Sequence, residues 1–482
     1  METAYVVGLG KSGLAAARLL QAQGYSVVLS DSGDSPGLRQ QQGELAQVGI
    51  TVKLADRFDP DRLGPDRLGP GAISSAAAAK PLVVVSPGVP WDIPGLVKAR
   101  DRGWSVLGEL SYAWHQLQDR AWICVTGTNG KTTTTALLDA IFKAANYPVE
   151  ACGNIGYPAC DLAYQAHFGS PSARSPGPSW VLAELSSYQI ESGWDVAPRI
   201  GVWTTFTPDH LSRHKTLENY YGIKARLLDQ SQIQILNGDD PYLRRQAQSR
   251  YPQAYWTSLA GAAASPTDLD HSIYLEDGWV TVAGEPIVAA KDLAMVGQHN
   301  QQNLLLAVGA AYLAGVDAGA IAQAIQQFPG VPHRLEQVAQ WQNIRFINDS
   351  KATNYDAAEV GLTAMTAPTV LIAGGDPKEG EDQAWLERIR AQAVAVVLVG
   401  KAGPQFAQRM AEVGIAPVEV LPSLTEAVPR AARWARALGA GAVLLSPACA
   451  SFDQYPNFEQ RGEHFRQLCT AFCAQQSGTS KE

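Results

Sequence analysis

Cysteine is scarce in this chain. Six residues, at positions 124, 152, 160, 449, 469 and 473, are scattered through 482. None stands in a Cys-x-x-Cys pair. Cys469 and Cys473 have the spacing of a shared helix face but lack the partners of a zinc set, so free thiols in a reducing compartment are expected. Charge is sparse as well, at 17% of residues, yet no window is apolar over a length that would span a membrane. A formal net charge of −8 argues against a general nucleic-acid binder, which needs a basic surface. The opening residues, Met1-Glu-Thr-Ala-Tyr5, run straight into a strand without the basic and apolar regions of a secretory leader. A cytoplasmic location is therefore expected.

Apolar residues make up 46% of the chain, in short runs that alternate with helical patterns. At this length two to four domains are expected. Tyr5-Val-Val predicts a strand, residues 12–23 a helix, and residues 25–30 a second strand ending at Asp31. Leu82-Val-Val-Val85 is a further apolar strand that ends in the turn Ser86-Pro-Gly88. Such strands belong to parallel sheets covered on both faces. The pattern repeats from Glu109, with strands at 121–126, 180–184 and 200–206, then turns β-rich over 272–289 before an Ala/Leu-rich helix from Asn300. From Gly330 the alternation resumes, with strands at 344–348, 370–373, 395–399 and 442–445.

An α/β protein of three consecutive domains is expected, with bounds 1–108, 109–329 and 330–482. The outer two read as Rossmann-like. The central one reads as a P-loop-type ATPase domain, a parallel sheet with a small β portion. The repeat Asp61-Arg-Leu-Gly-Pro65, Asp66-Arg-Leu-Gly-Pro70 and the Pro/Ser/Gly-rich stretch 169–179 are expected to be surface loops.

Ala121-Trp-Ile-Cys-Val-Thr126 leads into Gly127-Thr128-Asn129-Gly130-Lys131-Thr132, a strand, a tight turn and a helix running to about residue 145. Backbone N–H groups of such a turn face inward, and the helix N-terminus adds positive potential. Lys131 then reaches terminal phosphates, and the Thr132 hydroxyl can ligate Mg²⁺. The spacing is shorter than Gly-x4-Gly-Lys-[Ser/Thr], because Val125 stands where the first glycine belongs. A second turn, Gly8-Leu-Gly10-Lys11-Ser12-Gly13, follows the first strand, and Asp31 ends the second. That pattern suits a pyrophosphate with an acid for a ribose hydroxyl, and leaves NAD and other nucleotide diphosphates open. Glu184 ends a strand at the edge where open parallel sheets bind ligands, the position of a second Mg²⁺ ligand. Asp209-His210 follow the next strand. His210 and His214, four apart, also read as a zinc pair, although no glutamate follows His210 and no third ligand is evident. His214 alone reads as a surface or core histidine. Lys224, Asn300, Asn303 and Arg334 carry no signal by themselves. Asn348-Asp-Ser-Lys-Ala-Thr-Asn354 and Leu445-Ser-Pro-Ala-Cys-Ala-Ser451-Phe-Asp453 are polar strand ends unsuited to a core.

Taken in order, these segments resemble the Mur ligases, the ATP-dependent amino-acid-adding enzymes of peptidoglycan precursor synthesis. Thr126-Gly-Thr-Asn-Gly-Lys-Thr132, Glu184-Leu-Ser-Ser, Asp209-His210, His299-Asn300-x-x-Asn303, His333-Arg334 and Asp349-Ser-Lys-Ala-Thr-Asn354 carry the resemblance, and the shortened phosphate loop is itself the family form. Glu184-Leu-Ser-Ser-Tyr-Gln-Ile-Glu191, Gly374-Gly-Asp-Pro-Lys378 and Ser446-Pro-Ala-Cys-Ala-Ser451 look like the branch that adds D-glutamate to UDP-N-acetylmuramoyl-L-alanine.

The resemblance implies a role for each remaining residue. Gly127 to Thr133, Asn300, Arg334 and Asp349 would bind ATP. Thr132 and Glu184 would hold one Mg²⁺, and His210 with a carbamylated Lys224 the other; Lys131, His210 and Lys224 would be the catalytic set. Gly10, Lys11, Ser12, Asp31, Ser86 and Asn154 would bind the UDP substrate. Lys351, Thr353, Lys378, Ser451 and Phe458 would surround D-glutamate. A cytoplasmic monomer without nucleic-acid or membrane partners is implied. Thr205 and Ser212 depart from the family's asparagine and aspartate beside His210.

The chemistry accounts for these parts. A carboxylate must approach an anionic γ-phosphate, so two Mg²⁺ ions and Lys131 would offset the repulsion. Closure of the last domain over the middle one would keep water from the acyl phosphate. Three other readings compete. An NAD-dependent oxidoreductase leaves Lys131 and Glu184 without roles, a switch-type NTPase needs no amino-acid acceptor, and a sister ligase would add a diamino acid.

Overall fold

The structure, a computed structural model, describes residues 2–63, 80–169, 180–295, 297–377 and 380–478. The second copy of the Asp-Arg-Leu-Gly-Pro repeat, residues 170–179 and Lys378 lie outside the described residues.

Described strands form three sheets. The first contains β1 (Thr3–Val7), β2 (Ser26–Ser30), β3 (Thr51–Lys53), β4 (Leu82–Val85) and β5 (Ser105–Gly108), all parallel, in the order β3-β2-β1-β4-β5. The second contains β6 (Ala121–Thr126), β7 (Val149–Gly153), β8 (Trp180–Glu184), β9 (Ile200–Trp203), β10 (Ile233–Asn237), β11 (Tyr255–Ser258), β12 (Ser272–Glu276), β13 (Trp279–Val282) and β14 (Glu285–Ala289). Its order is β14-β13-β12-β11-β10-β9-β6-β8-β7, parallel except at β13 and β14. The third contains β15 (Glu336–Trp341), β16 (Ile344–Asn348), β17 (Thr369–Gly374), β18 (Ala393–Val399), β19 (Val418–Val420) and β20 (Ala442–Leu445). Its order is β15-β16-β20-β17-β18-β19, with β15 alone antiparallel. The central strands β6, β8 and β17 are buried almost throughout, as their unbroken apolar runs require.

The chain divides into two compact units, Met1–Asp292 with Gln302–Gln327, and Leu293–Gln301 with Phe328–Glu482. The first two sheets thus share one body. Helix Lys11–Ala22 of the first sheet packs on helix Ala159–Phe168 of the second, and one apolar core runs from Ala4 to Trp256. No disulfide joins any of the six cysteines among the described residues. No helix among the described residues is long and apolar enough to cross a membrane.

Glu109 opens the helix Glu109–Gln116 at the junction of those two sheets and is fully buried. Its Oε1 accepts the Cys160 N–H at 2.6 Å, capping helix Ala159–Phe168, while Oε2 is buried without a hydrogen-bond partner among the described residues. Burial pushes the carboxyl up from 4.5 to about 7. Between those values the folded chain holds a proton that the unfolded chain has lost, so stability falls as pH rises through the window. Glu109→Gln keeps the acceptor and removes the charge. Thermal and urea unfolding should find the variant more stable by on the order of 3 kcal/mol at about pH 8, with the difference gone near pH 4.

Candidate active site

In the first sheet the strand order reverses at β1 and β4, and their outgoing loops meet there. A Cβ on Gly8 (φ +98°) would lie 2.9 Å from the Ser86 Cβ, and one on Gly10 would lie 3.6 Å from the Ser86 Oγ. Gly10 is the N-cap of the helix Lys11–Ala22, so Lys11 and Ser12 open its first turn. A Cβ on Gly13 would stand 1.9 Å from the Gly8 carbonyl oxygen, which explains the third glycine as a packing requirement. Asp31 turns inward on the protein itself. Its Oδ2 accepts the Leu9 N–H and its Oδ1 the Gly33 N–H, each at 2.7 Å. Its carboxylate therefore shapes the loop, a task the sequence pattern does not distinguish from ribose binding.

In the second sheet the reversal falls at β6, between β8 and β9, and the turn 127–130 leaves from it. Gly127 and Gly130 have φ of +149° and +85°. A Cβ on Gly127 would lie 2.0 Å from the Thr204 Oγ1, and one on Gly130 would lie 2.5 Å from the Asn303 Oδ1. The turn is tied to the segment after β9. Thr128 N–H donates to the Thr205 carbonyl at 2.8 Å, Asn129 N–H to the Thr205 Oγ1 at 2.9 Å, and the Thr205 hydroxyl returns to the Asn129 carbonyl at 3.1 Å. Lys131 Nζ reaches back over the turn to the carbonyls of Gly127 and Thr128, at 2.9 and 2.8 Å. Thr132 and Thr133 follow on the helix Lys131–Ala144, with Thr133 buried.

Glu184 ends β8 beside β6 and is 1% exposed. Its Oε1 accepts from the Asn154 Nδ2 at 2.7 Å, and its Oε2 is buried without a hydrogen-bond partner among the described residues. A carboxylate oxygen left bare beside a phosphate loop fits Mg²⁺, which takes hard oxygen ligands. Lys224, on the helix Leu217–Gln230, is equally enclosed. Its Nζ donates to the Gly127 carbonyl at 2.9 Å and the Thr126 Oγ1 at 3.2 Å, and lies 5.0 Å from the centre of the Tyr220 ring. Burial, then the charge of Lys131, hold its ammonium pKa well below the usual lysine range. His210 sits in the left-handed region (φ 54°) as N-cap of the short helix Leu211–His214, with its ring 5.1 Å from that of Tyr188. His214 does not pair with it as a metal ligand. It is buried, 2.8 Å from the Ser187 Oγ, and no three His, Cys, Asp or Glu side chains among the described residues gather as a metal set. Thr205 serves the phosphate turn, and Ser212 is exposed, its carbonyl accepting the Lys215 Nζ at 2.8 Å.

In the second unit, the loops after β16, β20 and β17 share the carboxyl edge of their sheet. Asp349 is buried and pushed up to about 7 by burial, against a 2.9 Å bond from the Ser446 hydroxyl and the charges of Arg334 and Arg461. Lys351 Nζ lies 3.8 Å from the centre of the Phe458 ring. Ser451 is buried and Thr353 half-buried, on loops leaving the neighbouring strands β20 and β16. Asn300 is buried in the helix Gln298–Leu313. Arg334 bears on its neighbour His299, whose pKa is lowered to about 4 by burial and by that charge.

Residues 125–311 match the Mur ligase middle domain. The chain is 54% identical to the UDP-N-acetylmuramoylalanine–D-glutamate ligase of Nostoc punctiforme, over 98% of this chain and 97% of that one. The chain belongs to the Mur ligase family. The ligase of the same name from Synechococcus elongatus is also 54% identical, over 98% of this chain and 99% of its own length. In fold, this Mur ligase resembles the UDP-N-acetylmuramate–alanine ligase of Thermotoga maritima, with a TM-score of 0.56 and 17% identity over 98% of this chain and 100% of that one.

Two parts of this Mur ligase escape sequence reasoning. Thr204 and Thr205 clamp the phosphate turn, a task that nothing in their own neighbourhood marks, since Thr205 stands out in sequence only as a departure beside His210. Arg461 is 2% exposed and donates to the Ser350 Oγ and carbonyl and to the carbonyls of Cys449 and Ala450, at 2.7 to 3.1 Å. It thereby joins the loops after β16 and β20. A signal exists for it, since Arg461 shares an apolar helix stripe with the buried Phe465 and Cys469.

Proposed function

We propose that this protein is an ATP-dependent, ADP-forming ligase that adds D-glutamate to UDP-N-acetylmuramoyl-L-alanine in cytoplasmic peptidoglycan precursor synthesis. The 54% identity to D-glutamate ligases along nearly the whole chain carries the reading. In this reaction the substrate carboxylate attacks the γ-phosphate of ATP, releasing ADP and leaving an acyl phosphate. The deprotonated amine of D-glutamate attacks that carbonyl, and the tetrahedral adduct expels phosphate.

Lys131 and the backbone of 127–130 cradle the triphosphate, with Thr132 and Thr133 at the helix start. When bound, two Mg²⁺ ions supply charge that offsets the repulsion between carboxylate and phosphate. Thr132 and Glu184 would hold one, His210 and a carbamylated Lys224 the other. The bare Glu184 Oε2 and the uncharged tendency of Lys224 support those assignments. Gly10, Lys11, Ser12, Asp31 and Ser86 receive the UDP moiety, supported by their convergence at the β1/β4 reversal. Asn154, bonded to Glu184, faces the muramoyl end. Asn300, Arg334 and Asp349 attend the nucleotide. Lys351, Thr353, Ser451 and Phe458, with Lys378, receive D-glutamate. A monomer of three functional domains, 1–108, 109–329 and 330–482, is part of this reading, each with its own sheet.

Phosphate release measured with UDP-N-acetylmuramoyl-L-alanine and a panel of amino acids tests it. Release is expected only with both that substrate and D-glutamate. Activity with L-lysine or diaminopimelate alone, or phosphate release without any amino acid, overturns the reading.

A further inference from the structure

Ser187 and His214 form a buried pair that the roles above leave unused. The Ser187 Oγ and His214 Nε2 are 2.8 Å apart, and the two residues are 2% and 1% exposed. The imidazole lies against two rings, tilted at 5.4 Å from Tyr188 and stacked at 5.4 Å and 19° on Tyr220. Its backbone is held as well: the His214 carbonyl accepts from the Thr216 N–H and the Asn219 Nδ2, both at 2.9 Å.

Each partner belongs to a segment that bears a proposed metal ligand. Ser187 starts the helix that follows Glu184. The His214 N–H donates to the His210 carbonyl at 3.0 Å. Tyr220 precedes Lys224 by one turn on the same helix, with the Lys224 ammonium over its ring. His210 itself is left-handed, a conformation that an L residue keeps only where its surroundings hold it.

We propose that His214, bonded to Ser187, is a positioning residue that sets the spacing of Glu184, His210 and Lys224 for the two Mg²⁺ ions. The inference rests on the ligase reading given above. Outer groups that orient metal ligands change metal affinity by about 10–100-fold when removed. Here the bond crosses between the Glu184 segment and the His210 turn, so its loss lets the two ligand positions drift apart without emptying the core.

His214→Phe keeps a ring beside Tyr188 and Tyr220 but drops the bond, and Ser187→Ala drops it from the other partner. Each is expected to weaken Mn²⁺ binding about tenfold, titrated by electron paramagnetic resonance without turnover, and to raise the Mg²⁺ concentration for half-maximal phosphate release to match, with KM for D-glutamate changed less than about twofold. The double variant should be no worse than either single one, because both remove the same bond. His214→Gln, whose amide reaches the same hydroxyl, should recover most of the loss. An unchanged Mg²⁺ requirement in His214→Phe and Ser187→Ala, or additive losses in the double variant, overturns the proposal. If His214→Phe fails to fold, Ser187→Ala with His214→Gln carries the same test. Wild-type protein that releases no phosphate with both substrates refutes the ligase reading, whereas active wild type with indifferent variants refutes only the positioning role.

Discussion

Lys131→Ala is expected to lower phosphate release, with both substrates present, by about a thousandfold or more. The ammonium lies over the turn 127–130, on the carbonyls of Gly127 and Thr128. In the reaction a carboxylate and a γ-phosphate, both anionic, must approach each other, and Lys131 is the fixed positive charge on that loop. Bonds other than the lysine's also hold the turn. Thr128 and Asn129 are bonded to Thr205, and the Thr204 hydroxyl donates to the Thr126 carbonyl at 3.2 Å. The melting temperature of the variant should therefore stay within a few degrees of the wild type, separating lost chemistry from lost fold. Near-normal ligation by this variant would remove the loop from ATP chemistry altogether.

Lys224→Ala should cost at least about a hundredfold in the same assay, for a different reason. Lys224 is enclosed, its bonded partners are a hydroxyl and a carbonyl, and Lys131 adds a second positive charge nearby. Burial and that charge both favour the neutral amine. A neutral amine is the nucleophile that attacks CO₂, losing a proton to give an anionic carbamate. The exchange would turn a buried amine into an oxygen ligand for Mg²⁺. Wild-type enzyme prepared free of CO₂ should then lose activity and regain it with bicarbonate. ¹³C-bicarbonate should give a carbamate resonance that Lys224→Ala lacks. Since only the neutral amine reacts, carbamylation should weaken as pH falls. Activity indifferent to CO₂, without that resonance, would leave Lys224 as a structural amine.

Much of the fold is legible from periodicity and turn residues. The strand 121–126, its Gly-rich turn and the helix from Lys131 stand as the pattern requires, as do the Gly8 turn and the polar ends of β16 and β20. The zinc reading of His210 and His214 rests on four-residue spacing, which says nothing of what faces each ring. His210 is half-exposed outside the helix body, while His214 points into the core toward Ser187. Thr205 and Ser212 look like defects in the surroundings of His210 when read beside it in sequence. In space Thr205 holds the phosphate turn and Ser212 faces solvent.

The chain by itself determined three parallel-sheet modules, the phosphate turn, and the family to which the ordered motifs belong. Each depends on neighbours within a few residues: apolar runs, glycines at positive φ, and helix starts. Only the tertiary structure decided which polar groups meet. The Lys224 and Gly127 bond spans 97 residues, and that between Arg461 and Ser350 spans 111. It also brought side chains of the first two sheets into one apolar core. The enclosure of Lys224, the inward turn of Asp31 and the Ser187–His214 pair follow from burial and from partners distant in the chain. Desolvation acts on the enclosed group, and enclosure is a property of packing, which no local stretch of sequence contains.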